Sequence, residues 1–199
     1  MFGLFSKKIH FSMKDDYLIE KHPGKDFKKK TKISLEKNQE LILVYPDGLS
    51  ETIKNQFDIK LKEKVKYLFY AQSNRSVQSV NWGTKSRVAI TIEDKDQTLG
   101  GYGTIEFRLM NPTRYIEKRM GTASFVTPEM LTELVLSKIP QELLTVVMNL
   151  STKQKVDINS LTVAVKKGLL QQMKEVLSEM GIELTDLVVT NINLKEGDE

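Results

Sequence analysis

The fold is decided by the stretch Ser79-Val80-Asn81-Trp82-Gly83-Thr84-Lys85 together with Val88-Ala89-Ile90-Thr91-Ile92 and Gly101-Tyr102-Gly103-Thr104-Ile105-Glu106-Phe107-Arg108-Leu109. The only Trp of the chain ends one run of β-forming residues, a Gly-Thr corner follows, and two further runs come after it. Because β-branched and aromatic residues fit a pleated, half-buried surface, these runs predict the centre of a sheet. The stretch contains no recognisable catalytic arrangement.

Alternating apolar and polar residues predict more strands on the N-terminal side of this stretch. Glu40 to Tyr45 and Leu49 to Ile53 flank Pro46-Asp47-Gly48, which is the pattern of a β-hairpin whose turn Gly adopts a positive φ. Further strands are predicted from Phe57 to Leu61 and from Val65 to Tyr70. The expected result is an antiparallel or mixed sheet of about five or six strands.

After residue 110 the apolar residues recur with the period of a helix. Three segments have the residue types that start a helix, namely Asn111-Pro112, Thr127-Pro128-Glu129 and Asp157-Ile158-Asn159-Ser160. Pro140 predicts a kink or interruption of the second helix near Ile139, and Gly181 is a suitable C-terminal cap of the third. Because Ile182 to Leu194 returns to a β pattern, the predicted fold class is α+β, a sheet followed by helices and a C-terminal strand.

Composition indicates an ordinary globular protein with little scope for metal or thiol chemistry. The 199 residues are 40% hydrophobic and 28% charged, and the patterns predict a lead-in over residues 1–32, a compact domain over 33–194 and a polar tail over 195–199. The chain has no Cys, which excludes disulfides and thiolate metal sites and fits a reducing cytosol as well as other compartments. His10 and His22 are expected on the surface, and neither a metal site nor a cofactor site is predicted.

Positive charge is concentrated in the first half of the chain. Residues 1–100 contain 19 Lys/Arg and 13 Asp/Glu, a net charge of +6, whereas residues 101–199 contain 11 and 13, a net charge of −2. The densest basic cluster consists of Lys21, Lys25, Lys28, Lys29, Lys30 and Lys32. Such a cluster attracts anionic lipid or nucleic acid, although a solvated connection is the favoured interpretation. Only Phe27 lies among these lysines, whereas nucleic-acid sites interleave basic and aromatic residues, so nucleic acid is not the expected partner.

The N-terminus combines apolar and basic residues. Phe2, Leu4 and Phe5 precede Lys7 and Lys8, a pattern that predicts either a membrane contact, in which the lysines meet anionic headgroups, or a terminus that packs against the domain or frays. A terminus that packs or frays is the favoured interpretation, because three apolar side chains bind a membrane only weakly. No stretch of the sequence reaches the roughly 20 apolar residues that span a bilayer.

The order of these segments resembles the SPFH (stomatin, prohibitin, flotillin and HflK/C) or band 7 domain. The resemblance covers roughly residues 33 to 194 and includes the hairpin from Glu40 to Ile53, the Trp82-Gly83-Thr84 stretch and the strand that leads into Asn111-Pro112. The most similar branch is the bacterial virion-core-protein-like group, in which a Trp-Gly-Thr stretch recurs. The resemblance implies a membrane-associated scaffold that forms homo-oligomers and organises lipid or protein partners. It implies no enzyme activity and supplies no catalytic residues.

Three functional hypotheses follow from the sequence. The leading one is a non-enzymatic scaffold that self-associates and organises membrane-surface or protein partners; the second is a soluble adaptor that binds an unidentified protein through a sheet edge. The third is a nucleic-acid binder that uses the cluster from Lys21 to Lys32. The expected location is the cytoplasm, either free or peripheral at a membrane. Trp82 is expected in the core, with a partner-binding hot spot as the alternative.

Overall fold

The computed structural model describes residues 8–10, 17–27, 31–48, 50–54, 56, 59–72, 77–84, 88–92, 95–151 and 158–196. The chain divides into two compact units, the first formed by Met1–Arg75 with Leu109–Pro128 and the second by Ser76–Arg108 with Glu129–Glu199. The predicted α+β class is confirmed, because the strands are followed by helices and a C-terminal strand.

The elements are numbered in chain order. The strands are β1 (Lys8–His10), β2 (Ile19–Pro23), β3 (Lys32–Ser34), β4 (Gln39–Val44), β5 (Ser50–Lys54), β6 (Ile59–Lys60), β7 (Tyr67–Gln72), β8 (Gln78–Gly83), β9 (Val88–Ile92), β10 (Lys95–Leu109), β11 (Phe125–Val126) and β12 (Ile182–Glu196). The α-helices are α1 (Pro112–Tyr115), α2 (Pro128–Ser151) and α3 (Ile158–Glu179). A single 3₁₀ turn covers Gly24–Asp26, and a π-helical turn covers Ile116–Met120.

The first unit is built on a five-stranded sheet with the strand order β11-β2-β7-β4-β5. All of its strand pairs are antiparallel. The predicted hairpin is confirmed as β4 and β5, and Gly48 in its turn has a φ of 89°. β2 precedes residue 33 and pairs with β7, which follows it, so the sheet joins segments on both sides of the boundary expected at that residue. The boundary itself stays a prediction.

A three-stranded sheet with the order β1-β3-β6 covers the apolar core of the same unit. β1 runs parallel to β3, and β3 runs antiparallel to β6. Ile33 of β3 and Ile59 of β6 are directly opposite each other. Both are buried in a cluster that also includes Leu41, Leu68 and Tyr70 of the five-stranded sheet. The alternating apolar residues on both sheets therefore face one core.

The second unit contains a sheet with the order β12-β10-β8, and β9 also pairs with β10. The charged residues Glu93 to Asp96 predict a loop before the run from Gly101 to Leu109. For Lys95 and Asp96 this prediction is wrong, because β10 already begins at Lys95 and its first residues form an antiparallel ladder with β9. Glu93 and Asp94 lie outside the described residues. The backbone N–H and C=O groups of this segment form ladder hydrogen bonds with β9, which stabilises it as a strand although Lys and Asp have low β propensity.

The helices begin largely where the sequence predicts. The side chain of Asn111 accepts a hydrogen bond from the backbone N–H of Arg114 at 3.0 Å, which caps α1. α2 begins at Pro128 and runs without interruption through Pro140, so the interruption expected there is absent. Ile139 and Leu143 are buried on either side of Pro140, and their packing offsets the one backbone hydrogen bond that Pro removes. Gly181 follows α3 with a φ of 77°, as expected for a C-terminal cap.

Alkaline titration tests the end of the β4–β5 hairpin, where Tyr45 Oη donates to Glu51 Oε2 at 2.7 Å. Desolvation, followed by that hydrogen bond and the charges of Glu51, Glu63 and Asp47, raises the pKa of Tyr45 to about 12. A raised native pKa contributes stability below the unfolded pKa of about 10, and this stability is lost as the pH rises from about 10 to about 12. The free energy of unfolding of Tyr45→Phe should therefore fall less over this interval than that of the parent protein.

The measurement is the difference in tyrosinate absorbance between the parent protein and Tyr45→Phe as the pH is raised. We expect its midpoint near pH 12. Glu51→Gln removes one cause of the shift and should move the midpoint to lower pH. A difference spectrum that titrates near pH 10, the ordinary range for tyrosine, would contradict this account.

Candidate functional site

Trp82 joins three strands of the second unit. Its side chain is buried, with 4% of its surface exposed, and its indole Nε1 donates a hydrogen bond to the Val188 carbonyl of β12 at 3.2 Å. Trp82 on β8 is directly opposite Gly103 on β10. A Cβ atom at Gly103 would collide with the Val188 carbonyl and lie 3.0 Å from the indole nitrogen. The indole therefore reaches from β8 to β12 only because residue 103 has no side chain.

The residues after Trp82 extend this arrangement. The backbone N–H of Thr84 donates to the Gly101 carbonyl at 3.0 Å, and the backbone N–H of Gly101 donates to Thr84 Oγ1 at 3.0 Å. Gly83 lies between Trp82 and Thr84 in the sequence and is directly opposite Tyr102. The core position expected for Trp82 is confirmed by its burial. The stretch from Trp82 to Thr84 thus contributes to the structure of the sheet.

β12 runs antiparallel to β10 along this joint. Gly101 of β10 lies beside Asn191 and Ile192 of β12, and Arg108 of β10 forms an ion pair with Glu183 of β12 at 2.5 Å. The residue numbers therefore rise along β10 as they fall along β12, which is the antiparallel arrangement. On β10 the odd-numbered side chains Ile105 and Phe107 are buried, whereas Tyr102 is 51% exposed.

The second candidate is a surface that we call the lysine face, and it belongs to the first unit. Its members are the exposed residues Lys25, Lys32, Lys60, Lys62, Lys64 and Lys66. From residue 59 to residue 66 the apolar residues Ile59, Leu61 and Val65 are buried in the core of the unit. The lysines between and beside them are consequently left in solvent.

Backbone pairing brings lysines that are distant in the sequence to this face. Lys32 of β3 is directly opposite Lys60 of β6. The backbone N–H of Leu61 donates to the Thr31 carbonyl at 3.2 Å, and that of Gly24 donates to the Lys66 carbonyl at 2.9 Å. The segment 59–66 is therefore fixed at one end to the strand of Lys32 and at the other to the turn of Lys25.

The positive charges of the lysine face are largely uncompensated. None of its lysines forms an ion pair with a carboxylate among the residues that the structure describes. Two acidic residues adjoin its members in the sequence, Asp26 beside Lys25 and Glu63 between Lys62 and Lys64. Like charges directly opposite each other on neighbouring strands are destabilising, so the pairing of Lys32 with Lys60 has a cost to folding.

The basic cluster predicted from the sequence is only partly included in this face. Lys25 and Lys32 belong to it, whereas Lys28, Lys29 and Lys30 lie outside the described residues. Lys21 is on β2, where its Nζ lies 4.1 Å from the ring centroid of Tyr67 and 5.7 Å from that of Phe69. Lys66 of the lysine face also has its Nζ near this ring, 5.5 Å from the centroid of Tyr67. These cation–π contacts give both Lys21 and Lys66 a local structural role at Tyr67.

Sequence reasoning missed four lysines of the face, Lys60, Lys62, Lys64 and Lys66. The sequence did contain a pattern that could have identified them. The segment from Ile59 to Lys66 has Lys at four of its eight positions, interleaved with apolar residues. Nothing in the sequence, however, indicated that this segment pairs with β3 beside Lys32.

The proposed membrane-contact residues Phe2, Leu4, Phe5 and Lys7 lie outside the described residues. The described chain begins at Lys8, whose backbone is directly opposite that of Lys32 in the parallel pairing of β1 with β3. The N-terminal segment therefore joins the three-stranded sheet next to a strand that contributes to the lysine face.

His22 is partly buried, whereas the sequence placed it on the surface. Its ring lies 5.8 Å from the ring of Tyr70 and 6.2 Å from that of Phe27, with an edge-on orientation to both. Its Nε2 is 3.6 Å from Glu20 Oε1. The expectation of a surface His was wrong because β2, where His22 lies, is an inner strand of the five-stranded sheet. Within the part of the chain that the structure describes, no group of three or more His, Cys, Asp or Glu residues is placed to hold a metal ion.

The two units carry net charges of opposite sign. The first contains 19 Lys/Arg and 11 Asp/Glu, a net charge of +8, and the second contains 11 and 15, a net charge of −4. The contrast is larger than that between the two halves of the sequence, because Arg114, Lys118 and Arg119 belong to the first unit. No helix among the described residues is long and apolar enough to cross a membrane.

The Gly103 joint is tested by adding one methyl group. Gly103→Ala should lower the free energy of unfolding by about 1–3 kcal/mol, because the new Cβ would displace the Val188 carbonyl and disturb its hydrogen bond with Trp82. Urea denaturation followed by the fluorescence of Trp82, the only Trp of the chain, measures this loss.

Gly83→Ala is the matched control on the neighbouring strand. A Cβ atom there would lie 3.7 Å from the Cβ of Tyr102, which is an ordinary contact. Its free energy of unfolding should change by less than about 1 kcal/mol, the ordinary effect of Gly against Ala. Equal losses in the two variants would show that the joint does not depend on the missing side chain at residue 103.

Comparison with known proteins identifies the family. The family model described as "SPFH domain-Band 7 family" matches residues 49–199, which include the Trp82 joint and all of the second unit. A search of curated proteins found no match. The branch within the family stays a prediction. The match covers most of the chain and agrees with the resemblance noted in its sequence, and the protein belongs to the SPFH domain-Band 7 family.

Proposed function

We propose that the protein is a non-enzymatic scaffold that self-associates and organises membrane-surface or protein partners. The observation that carries this proposal is the SPFH family match over residues 49–199. An SPFH domain suggests a scaffold or membrane-associated role, and family members commonly oligomerise. Assignment by family is an argument from analogy, and the charges of the two units support it independently.

The charge distribution favours contacts between copies. A unit of net charge +8 and a unit of net charge −4 in one chain make the first unit of one copy electrostatically complementary to the second unit of another. Complementary charge accelerates encounter and fixes orientation more than it adds affinity. Contact between unlike surfaces is heterologous, and it produces a ring or an open chain of subunits.

Several polar side chains of the two units have structural partners on neighbouring strands, which is in keeping with a non-enzymatic role. Glu40, 2% exposed, accepts a hydrogen bond from Lys54 Nζ at 2.8 Å across the β4–β5 pair. Arg108 is paired with Glu183, and Thr84 is bonded to the Gly101 backbone. These groups are engaged in holding strands together.

We propose a cytoplasmic location, either free or peripheral at a membrane, for a chain of this composition.

Light scattering after size-exclusion chromatography tests self-association. In low salt, about 50 mM, we expect a mass several times the 22.8 kDa of the chain, because unscreened charges on the two units attract. At about 1 M salt the Debye length falls to roughly 3 Å, and the mass should decrease. A mass of 22.8 kDa under both conditions would overturn self-association.

A second candidate function is a soluble adaptor that binds a protein through a sheet edge. It is favoured by β5 and β12, which are the outermost strands of their sheets within the described residues. An open edge can pair with an extended peptide, although the Leu187 N–H of β12 already donates to the side chain of Asp186 at 2.8 Å. A monomer that binds one protein without lipid would support the adaptor and oppose the scaffold.

A further inference from the structure

We propose that the lysine face docks on an anionic lipid bilayer. The proposal rests on the membrane-surface part of the scaffold function and deepens it by naming the surface and its partner. It does not require self-association, so the two can fail separately.

The fold brings these lysines together from separate parts of the chain. Burial of Ile59, Leu61 and Val65 directs the segment 59–66 along the core, and strand pairing places Lys32 opposite Lys60. The hydrogen bond from Gly24 N–H to the Lys66 carbonyl adds the turn that contains Lys25. Three separate pieces of chain thus contribute to one surface.

The surface that results has a net positive charge. Its six lysines adjoin only two acidic residues in the sequence, Asp26 and Glu63, and no described carboxylate forms an ion pair with any of the six. An anionic partner would relieve the repulsion between Lys32 and Lys60. Each Lys close to an anionic bilayer contributes about 1 kcal/mol to binding.

The type of basic residue favours a bilayer over other anionic partners. The segments that contribute to the face, residues 25–32 and 59–66, contain Lys and no Arg. Arg is enriched and Lys is depleted at protein interfaces, and Arg supplies the bidentate contacts that read bases. Lys is a compact charge on a flexible stem, which suits a fluid array of headgroups that has no fixed geometry. Clusters of four to eight basic residues are typical of binding to anionic lipid.

The test is co-sedimentation of the full chain with vesicles of phosphatidylcholine alone or with about 30% phosphatidylserine. The face variant combines Lys32→Gln, Lys60→Gln and Lys64→Gln. The control combines Lys166→Gln, Lys167→Gln and Lys174→Gln, three exposed positions on α3 of the second unit. Both variants lose the same charge, so any difference between them reports position.

We expect the parent protein to sediment with the anionic vesicles in about 0.1 M salt and to be released at about 1 M. At roughly fivefold per lysine, the face variant should lose on the order of a hundredfold in affinity, and the control should lose far less. Restoring charge with Lys32→Arg, Lys60→Arg and Lys64→Arg should retain binding. Equal losses in face variant and control, equal binding to neutral vesicles, or retention on duplex DNA in preference to vesicles would each overturn the proposal.

Two further measurements distinguish docking through the lysine face from docking through the N-terminus and from self-association. The variant Phe2→Ser, Leu4→Ser and Phe5→Ser should still bind anionic vesicles. If it abolishes binding while the face variant binds normally, the contact lies in the N-terminal segment and the lysine face is excluded. Light scattering without lipid tests the scaffold independently. An oligomer that ignores anionic vesicles overturns lipid docking alone, whereas a monomer that binds them through the lysine face overturns self-association alone.

Discussion

The close approach of β8, β10 and β12 at Gly103 is the constraint on which the second unit depends. The indole of Trp82 spans the middle strand and donates to a carbonyl of the third, and this is possible because Gly103 leaves the space empty. A buried indole N–H needs an acceptor, and the Val188 carbonyl supplies it. Thr84 and Gly101 then hold the neighbouring end of the two strands together. The Trp-Gly-Thr stretch that pointed to the family is therefore a structural joint.

In the first unit, burial of the apolar residues decides where the charges lie. Ile33 and Ile59 meet across β3 and β6 and bury one face of the small sheet. Side chains alternate between the faces of a strand, so Lys32 and Lys60 must leave the core on the other side. The repulsion between these lysines is a consequence of burying Ile33 and Ile59 in the core. An anionic partner on this surface, as we propose, would offset that cost to stability.

The two units consequently differ in what they present to other molecules. One carries a net charge of +8 and the lysine face, whereas the other carries −4 and exposes mixed side chains such as Tyr102 and Val188. The positive charge of the first unit favours negatively charged partners. In the scaffold that we propose, the two units would therefore make two different kinds of contact from one chain.

The sequence by itself determined the α+β class, the β4–β5 hairpin, the starts of the helices and the core position of Trp82. Each of these depends on local periodicity, on capping residues or on a turn Gly, which are properties of neighbouring residues. Only the tertiary structure decided that β2 enters the five-stranded sheet, that the strands divide among three sheets and that β10 extends back to Lys95. It also brought Lys25, Lys32 and the lysines of residues 60–66 to one surface. Those outcomes depend on pairing between segments far apart in the chain, and local periodicity carries no information about which strand a given strand will meet.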